Sequence, residues 1–225
     1  ASSLQFTEAS GFTMSIAEMI LFSHWTNLAS DLATFESGVR LAGITVDTSQ
    51  LSGVDTLIPT ESSIRVNGDN LPLTQLLRSI STFARQSDAP VSEFLVMTDS
   101  QLMLELRRLF SDAGAELRIV DGEILAPAAS VHIEGTAAAD ANTVAGVVAS
   151  LTLEFVGLDH ITGIVMGQGG EAAGAAMVLL ILQGLGEPIT LTDGMVAHRY
   201  VLTLDGDGLV RLNGTDVGPL IQSLQ

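Results

Sequence analysis

Few residues of this chain are of the types that do chemistry. It has 225 residues, four histidines, no cysteine, and nine basic residues that are all arginine. Without cysteine there is no thiol nucleophile, zinc ribbon or iron–sulfur ligand set. Without lysine there is no P-loop and no Schiff base. His24, His132, His160 and His198 are scattered, and no HExxH pair occurs. Asp159-His160 could serve a serine as an acid–base pair, but no GxSxG elbow is present. His132 and His198 fall in strand-like segments and read as surface or hydrogen-bonded residues. The run Gly167-Gln168-Gly169-Gly170-Glu171-Ala172 fits G-x-G-x-x-A, with Glu187 where a ribose acceptor would stand. A dinucleotide site needs a strand just before that run and a parallel strand after its helix. Here a short helix is expected before it and an antiparallel hairpin after it, so it reads as a connection between helices. A nucleotide-using enzyme is the weaker alternative. Asp205, Asp207, Asn213 and Asp216 resemble half a calcium loop but lack its regular spacing and closing Glu, so Asp-Gly-Asp-Gly reads as a tight turn. Asn213-Gly214-Thr215 has the form of a glycosylation sequon and is also a turn signal. Among so many carboxylates none can be singled out, and the sparse arginines, such as Arg107-Arg108, are expected to pair with local acids. No catalytic, cofactor-binding or metal-ligating residue is assigned, and no cofactor is expected.

Charge and hydropathy narrow the classes further. The formal charge of −17 argues against a nucleic-acid partner, which demands Lys and Arg against phosphate, and against a polybasic membrane anchor. The mean hydropathy of +0.43 implies an apolar excess held in a core, in a ligand groove or on a partner-facing surface. The longest apolar run, Ala175–Leu182, falls short of the ~20 residues of a membrane span and reads as a buried helix. Ala1-Ser2-Ser3 fits a mature end left by signal cleavage, or a trimmed chain, equally well. Met14, Met19, Met97, Met103, Met166, Met177 and Met195 fall mostly on expected elements. They read as core filling, with adaptable walls for a lipid or a partner as the alternative.

The elements that must position these residues follow from periodicity. Residues 63–68 alternate as a strand, and a helix starts at Pro72, where the missing N–H is harmless. Its apolar face is Leu73, Leu76, Leu77, Ile80 and Phe83. A second helix spans about Thr98 to Ala113, with Leu102, Leu106, Leu109 and Phe110 as its stripe and Gly114 as a left-handed cap. A strand Glu116–Val120, a turn at Asp121-Gly122 and a strand through Val131-His132-Ile133-Glu134 follow. The same order then repeats. A strand Ser150–Val156 precedes a short helix at about Asp159–Val165 and a helix from Glu171 to about Gln183. Next come a strand Ile189–Thr192, a turn at Asp193-Gly194 and a strand Val196–Leu204. This predicts a duplicated strand–helix–hairpin unit, in copies at about 63–138 and 150–214, within residues 59–225. Residues 1–58 form a β-rich N-terminal segment, with strands at Leu4–Phe6, Phe12–Phe22 and Val39–Val46. A helix through Ile16, Met19 and Ile20 competes there. Leu51–Thr60 is the connection, unless the whole chain is one continuous domain. Frequent glycine and few aromatic residues predict many turns and a thinly filled interior.

The second copy resembles a known family. Gly157-Leu158-Asp159-His160-Ile161 closes a long strand, and the apolar helix through Met177-Val178-Leu179-Leu180 follows. Then come Tyr200-Val201-Leu202-Thr203-Leu204 and Asp207-Gly208-Leu209-Val210-Arg211-Leu212-Asn213-Gly214. This order resembles the C-terminal part of an uncharacterised family of Gram-negative envelope proteins, a domain of unknown function grouped with AsmA-like and TamB-like proteins. It covers about residues 116–218 and is weak before about residue 60. The closing D-G-x-V-x-x-N-G run, here with Leu209 inserted, is its most specific piece. The resemblance implies a periplasmic, non-enzymatic protein with a β-sheet groove, in a group associated with lipid handling and outer-membrane assembly. No counterpart of the larger members' N-terminal membrane anchor is expected, and the family offers no catalytic residues.

The expected fold is therefore α+β: a curved antiparallel sheet with amphipathic helices packed on one face. The expected function is binding of a lipid or acyl chain on an apolar sheet face in the periplasm. The alternative is a structural or assembly subunit with an envelope protein partner. Alternation alone nominates Leu151, Leu153, Phe155, Met177, Leu180 and Val201 as groove residues.

Overall fold

The structure, a computed structural model, describes residues 4–7, 13–46, 55–86, 100–168, 173–192 and 194–218. It is α+β, with an open sheet of eleven strands whose pairings are all antiparallel. The strands are β1 (Leu4–Thr7), β2 (Thr13–Thr26), β3 (Ala33–Val46), β4 (Glu61–Leu71), β5 (Glu116–Ala126), β6 (Ala129–Ala139), β7 (Val147–Val156), β8 (Glu187–Thr190), β9 (Val196–Leu204), β10 (Val210–Leu212) and β11 (Thr215–Asp216). They lie side by side in chain order, except that β7 pairs directly with β9, and β8 and β10 share the far edge of β9. Helices α1 (Leu73–Gln86) and α2 (Ser100–Ala113) are inserted between β4 and β5. Helices α3 (Leu158–Gln168) and α4 (Ala173–Leu185) are inserted between β7 and β8.

The N-terminal third is strand, and the helical option at Ile16–Ile20 is not taken. β2 and β3 form a long hairpin in one unbroken register from Met14↔Val46 to Thr26↔Thr34. β3 pairs in turn with β4, so the sheet runs on past the segment expected as a connection. Leu51–Val54 of that segment, and Phe12, lie outside the described residues.

Helix ends follow the local chemistry. Leu76 donates its N–H to the Pro72 carbonyl at 2.9 Å, so Pro72 stands just ahead of α1. Leu73, Leu76 and Ile80 are half-buried, whereas Leu77 of the same stripe is exposed. Gly114 ends α2 at φ 63°, with Ala115 N–H reaching back to the Phe110 carbonyl, a Schellman closure. Thr98 lies outside the described residues, as do the side chains of Phe83 and Leu102.

Two expectations are corrected. Asp121-Gly122 is not a hairpin turn. β5 runs through it, with a bulge between Ile119 and Gly122 opposite β6, and the chain reverses at Pro127-Ala128. A Cβ at Gly122 would stand 2.8 Å from the Ile133 Cβ, so this glycine serves close strand approach rather than a turn. The second pair behaves differently. Gly194 has φ 86° and closes a turn from Leu191, while Asp193 lies outside the described residues. Nor is α4 a buried helix, since Met177, Val178, Leu180, Ile181 and Leu185 are all exposed.

Helix–sheet contact is local. Phe110 of α2 packs with Phe35 and Leu73 against a small core of Ala33, Leu71 and Ala115. Tyr200 of β9 is buried and donates its hydroxyl to the Leu182 carbonyl of α4 at 2.8 Å. Aromatic rings fill cross-strand gaps elsewhere: Phe22 lies over Gly38, and Phe35 lies over Gly68 directly opposite.

Gly68→Ala should therefore displace the Phe35 ring and cost about 1–3 kcal/mol in urea unfolding. Burial, and then the charge of Asp159, raise the Tyr200 pKa above its ordinary value. Stability from this group is complete below pH ~10 and is lost as pH rises through the folded-state value. Tyr200 is the only tyrosine, so absorbance titration should place its ionisation above ~10. Tyr200→Phe should cost about 1 kcal/mol at neutral pH and abolish that alkaline loss.

Candidate functional site

The site is built by the sheet's alternation. One row of directly opposed residues runs Val66–Ile119–Gly135–Leu151–Leu202–Leu212 from β4 to β10. The next row on the same face runs Trp25–Phe35–Gly68–Leu117–Ala137–Ala149–Leu204–Val210. Both rows are apolar throughout. Their middle is made of small residues, Gly135, Ala137 and Ala149, flanked by Leu117, Ile119, Leu151 and Leu202. Small residues between large ones leave an open trough of about 440 Å³. A second hollow of about 380 Å³ adjoins it, under α2, and Leu117 and Ala137 line both. Each falls within the ~300–1,000 Å³ of ordinary ligand sites.

The residues in between face the other way and are mostly polar. A row Ser63–Glu123–His132–Glu154–Arg199–Glu187 crosses that second face. It carries the ion pairs Arg40–Glu61 at 2.6 Å, Arg65–Glu36 at 3.6 Å and Arg199–Glu154 at 2.7 Å, together with Arg118–Asp69. Glu61, by hydrogen bond and charge, raises the Arg40 pKa further above its ordinary value. Solvent screens such exposed pairs, so they favour one register more than they add stability.

The nominated groove residues divide. Leu151 lines the trough. Leu153 and Phe155 share its face of β7 and are half-buried beyond the trough. Val201 is corrected: it stands opposite Thr152 on the polar face, and its neighbour Leu202 lines the trough instead. Met177 and Leu180 are corrected too. They are 66% and 48% exposed on α4 and line neither hollow. The residues missed are Val66, Leu117, Ile119, Ala137, Ala149, Leu202, Leu204 and Val210. Their alternation was visible, but only the β7–β9 register shows that Leu202, not Val201, joins Leu151.

Most of the described methionines do not fill the core, and Met14 is half-buried. Met19, Met103, Met166, Met177 and Met195 are exposed, and Met97 lies outside the described residues.

The polar motifs are spent on structure. Asp159 accepts a hydrogen bond from Gln183 at 2.7 Å and faces His198 across 3.2 Å, so its partner is not the adjacent His160. His132 pairs with Glu134 at 3.1 Å on the polar face. Asp205 and Asp207 both take the Arg211 guanidinium, Asp207 at 2.7 Å, and both Asn213 side-chain polar atoms bond backbone. Gly208 at φ 79° completes the Asp205–Gly208 turn. Gly167 lies inside α3, with no strand before it, and residues 169–172 lie outside the described ones. Among the described residues, no cluster of three or more His, Asp or Glu is placed to hold a metal. Among them also, no helix is long and apolar enough to cross a membrane.

No family model matches the chain, and no curated protein or solved structure matches it.

If the trough is a binding surface, filling its floor should close it without disturbing the polar face. Ala137→Phe should abolish binding of an apolar fluorescent probe such as ANS while leaving the far-ultraviolet CD spectrum unchanged.

Proposed function

We propose that this chain is a non-enzymatic periplasmic protein of the cell envelope that holds a lipid or acyl chain on its apolar sheet face. The observation that carries the reading is the pair of adjoining apolar hollows, about 440 and 380 Å³, sharing Leu117 and Ala137. An acyl chain needs this kind of surface: long, apolar and open along one side. The helix pairs support it, since Phe110 of α2 packs on the same small core as Phe35 and Ala139 of the apolar face, and α4 accepts the hydroxyl of Tyr200 of that face. In this reading the helices flank the trough as end walls on one side of a curved sheet. The order β4–α1–α2–β5–β6, followed by β7–α3–α4–β8–β9, supports a duplicated unit that sets one wall at each end. The resemblance of residues 116–218 to the AsmA-like envelope family supports the periplasmic setting and the lipid class.

Native mass spectrometry of protein purified from its own envelope fraction, with organic extraction of what co-purifies, tests this. A stoichiometric lipid is expected, and Leu151→Glu or Leu202→Glu should remove it, with at least a tenfold loss of acyl affinity. Protein that emerges bare and binds no acyl probe would sink the reading.

A second reading, an assembly subunit of an envelope complex, is favoured by one observation. β1 covers only Thr13–Ile16 of β2, and among the described residues no strand pairs with the outer edge from Ala17 to Thr26. Met19, Ile20, Leu21, Phe22 and Trp25 are exposed along it. Such an edge invites an added strand. Leu21→Lys should then abolish co-purification of a polypeptide partner while leaving any bound lipid in place. An unchanged complex would remove this reading.

A further inference from the structure

Arg107 differs from the other paired arginines of the structure. Arg40, Arg65, Arg118, Arg199 and Arg211 each face a carboxylate. Arg107, expected to pair with a local acid, faces none among the described residues. Its Nη2 donates to two backbone carbonyls, Thr143 at 2.5 Å and Val144 at 3.3 Å, and its buried Nε has no partner. The neighbouring acids are engaged elsewhere. Asp140 accepts from Asn142 of its own turn, Glu105 accepts from Ser79, and Glu116 turns to Arg118 on the polar face.

The chain is shaped around this guanidinium. Its stem crosses Gly146, at φ 77°, where a Cβ would collide with Nε and Cδ. The turn at Asp140–Gly146 closes beside it, with Asp140 N–H donating to the Gly146 carbonyl at 3.0 Å. Arg107 also lines the 380 Å³ hollow, whose other walls are apolar or glycine apart from Glu116. That hollow adjoins the main trough, sharing Leu117 and Ala137 with it. Among the described residues Arg107 is thus the one cation lining the smaller, mostly apolar hollow, while Arg118, committed to Asp69, is the one lining the adjoining trough. In such surroundings Arg107 attracts an anion strongly, whereas the field of the −17 net charge is screened beyond ~8 Å at physiological salt.

We propose that Arg107 anchors the oxyanionic head, carboxylate or phosphate, of a single-chain lipid whose tail lies in the trough. This rests on the acyl-binding reading above and adds the class of headgroup. The guanidinium supplies charge-assisted hydrogen bonds, stronger than those between neutral groups.

Calorimetric titration below the critical micelle concentration separates the two ideas. The probes are palmitate, monopalmitoyl glycerol phosphate and methyl palmitate, against the native chain and the Arg107→Gln and Arg107→Lys variants. The native chain should bind an anionic probe about ten- to a hundredfold more tightly than the ester. Arg107→Gln should lose that preference with ester affinity unchanged, and Arg107→Lys should keep part of it. A preference for palmitate that disappears as its carboxylate protonates identifies a fatty acid. A preference confined to the phosphate identifies a lysophospholipid-type head. Equal binding of acid, phosphate and ester by the native chain overturns the anchor and leaves the trough reading intact. So does a preference that survives in Arg107→Gln. Failure of every probe, the ester included, overturns both. If Arg107→Gln unfolds, the native acid-to-ester ratio and the Arg107→Lys variant decide.

Discussion

Everything in this molecule depends on the two-sidedness of a single antiparallel sheet. Because successive side chains point to opposite faces, the long strands β4, β5, β6, β7 and β9 each contribute one mostly apolar and one mostly polar file. Cross-strand register stacks those files into rows. A one-residue slip of any strand would place an apolar file among the ion pairs, so burial and charge enforce the same register. The bulges at Arg65/Val66 and Ile119/Gly122 adjust the pairing where β4, β5 and β6 meet, and the alternation survives them.

The apolar face is larger than the helices that meet it. Among the described residues the buried apolar side chains are few: Ile16, Ala33, Leu71, Pro72, Ala115, Leu158, Ala176, Ala197 and Tyr200. Several mark places where a helix enters, leaves or is tied down: Leu71 before α1, Ala115 after α2, Leu158 at the head of α3, and Tyr200 beneath α4. Between these anchor points the sheet is floored with glycine and alanine, and the result is a trough instead of a core. The free energy that would come from a filled interior is available to whatever occupies that space. The proposed acyl chain is such an occupant, and Arg107 supplies the direction in which it would lie.

The exposed apolar surface of α4 and of β2 carries a related message. α4 bears no charged residue, and Met177, Val178 and Ile181 all face outward. An apolar helix of this kind gains little stability where it stands, and hydrogen bonds from Tyr200, Gln183 and Asn213 tie it down, to Leu182, Asp159 and Leu185 respectively. It is therefore a natural place for the molecule to open or to meet another apolar body.

The linear sequence by itself determined what depends on near neighbours. Period-two alternation marked β4, β7 and β9, and helical stripes marked α1 and α2. Pro72 and Gly114 marked helix ends, because steric restriction and positive φ are local properties. The α+β class and the absence of Cys and Lys chemistry were legible for the same reason. Only the tertiary structure decided what depends on partners. Gly122 reads locally as a turn, yet Ile133 of the next strand holds it in a bulge. Val201 and Leu202 are equivalent by alternation, and the register with β7 alone assigns Leu202 to the trough. The apolar helix α4 looks like core by composition, but nothing in composition states whether another element covers it. Arg107 could have met any nearby acid, and the turn at Gly146 brought backbone carbonyls to it instead. In each case the deciding contact joins elements that are separate in sequence. Such a contact comes from packing and register, which no local window of residues contains.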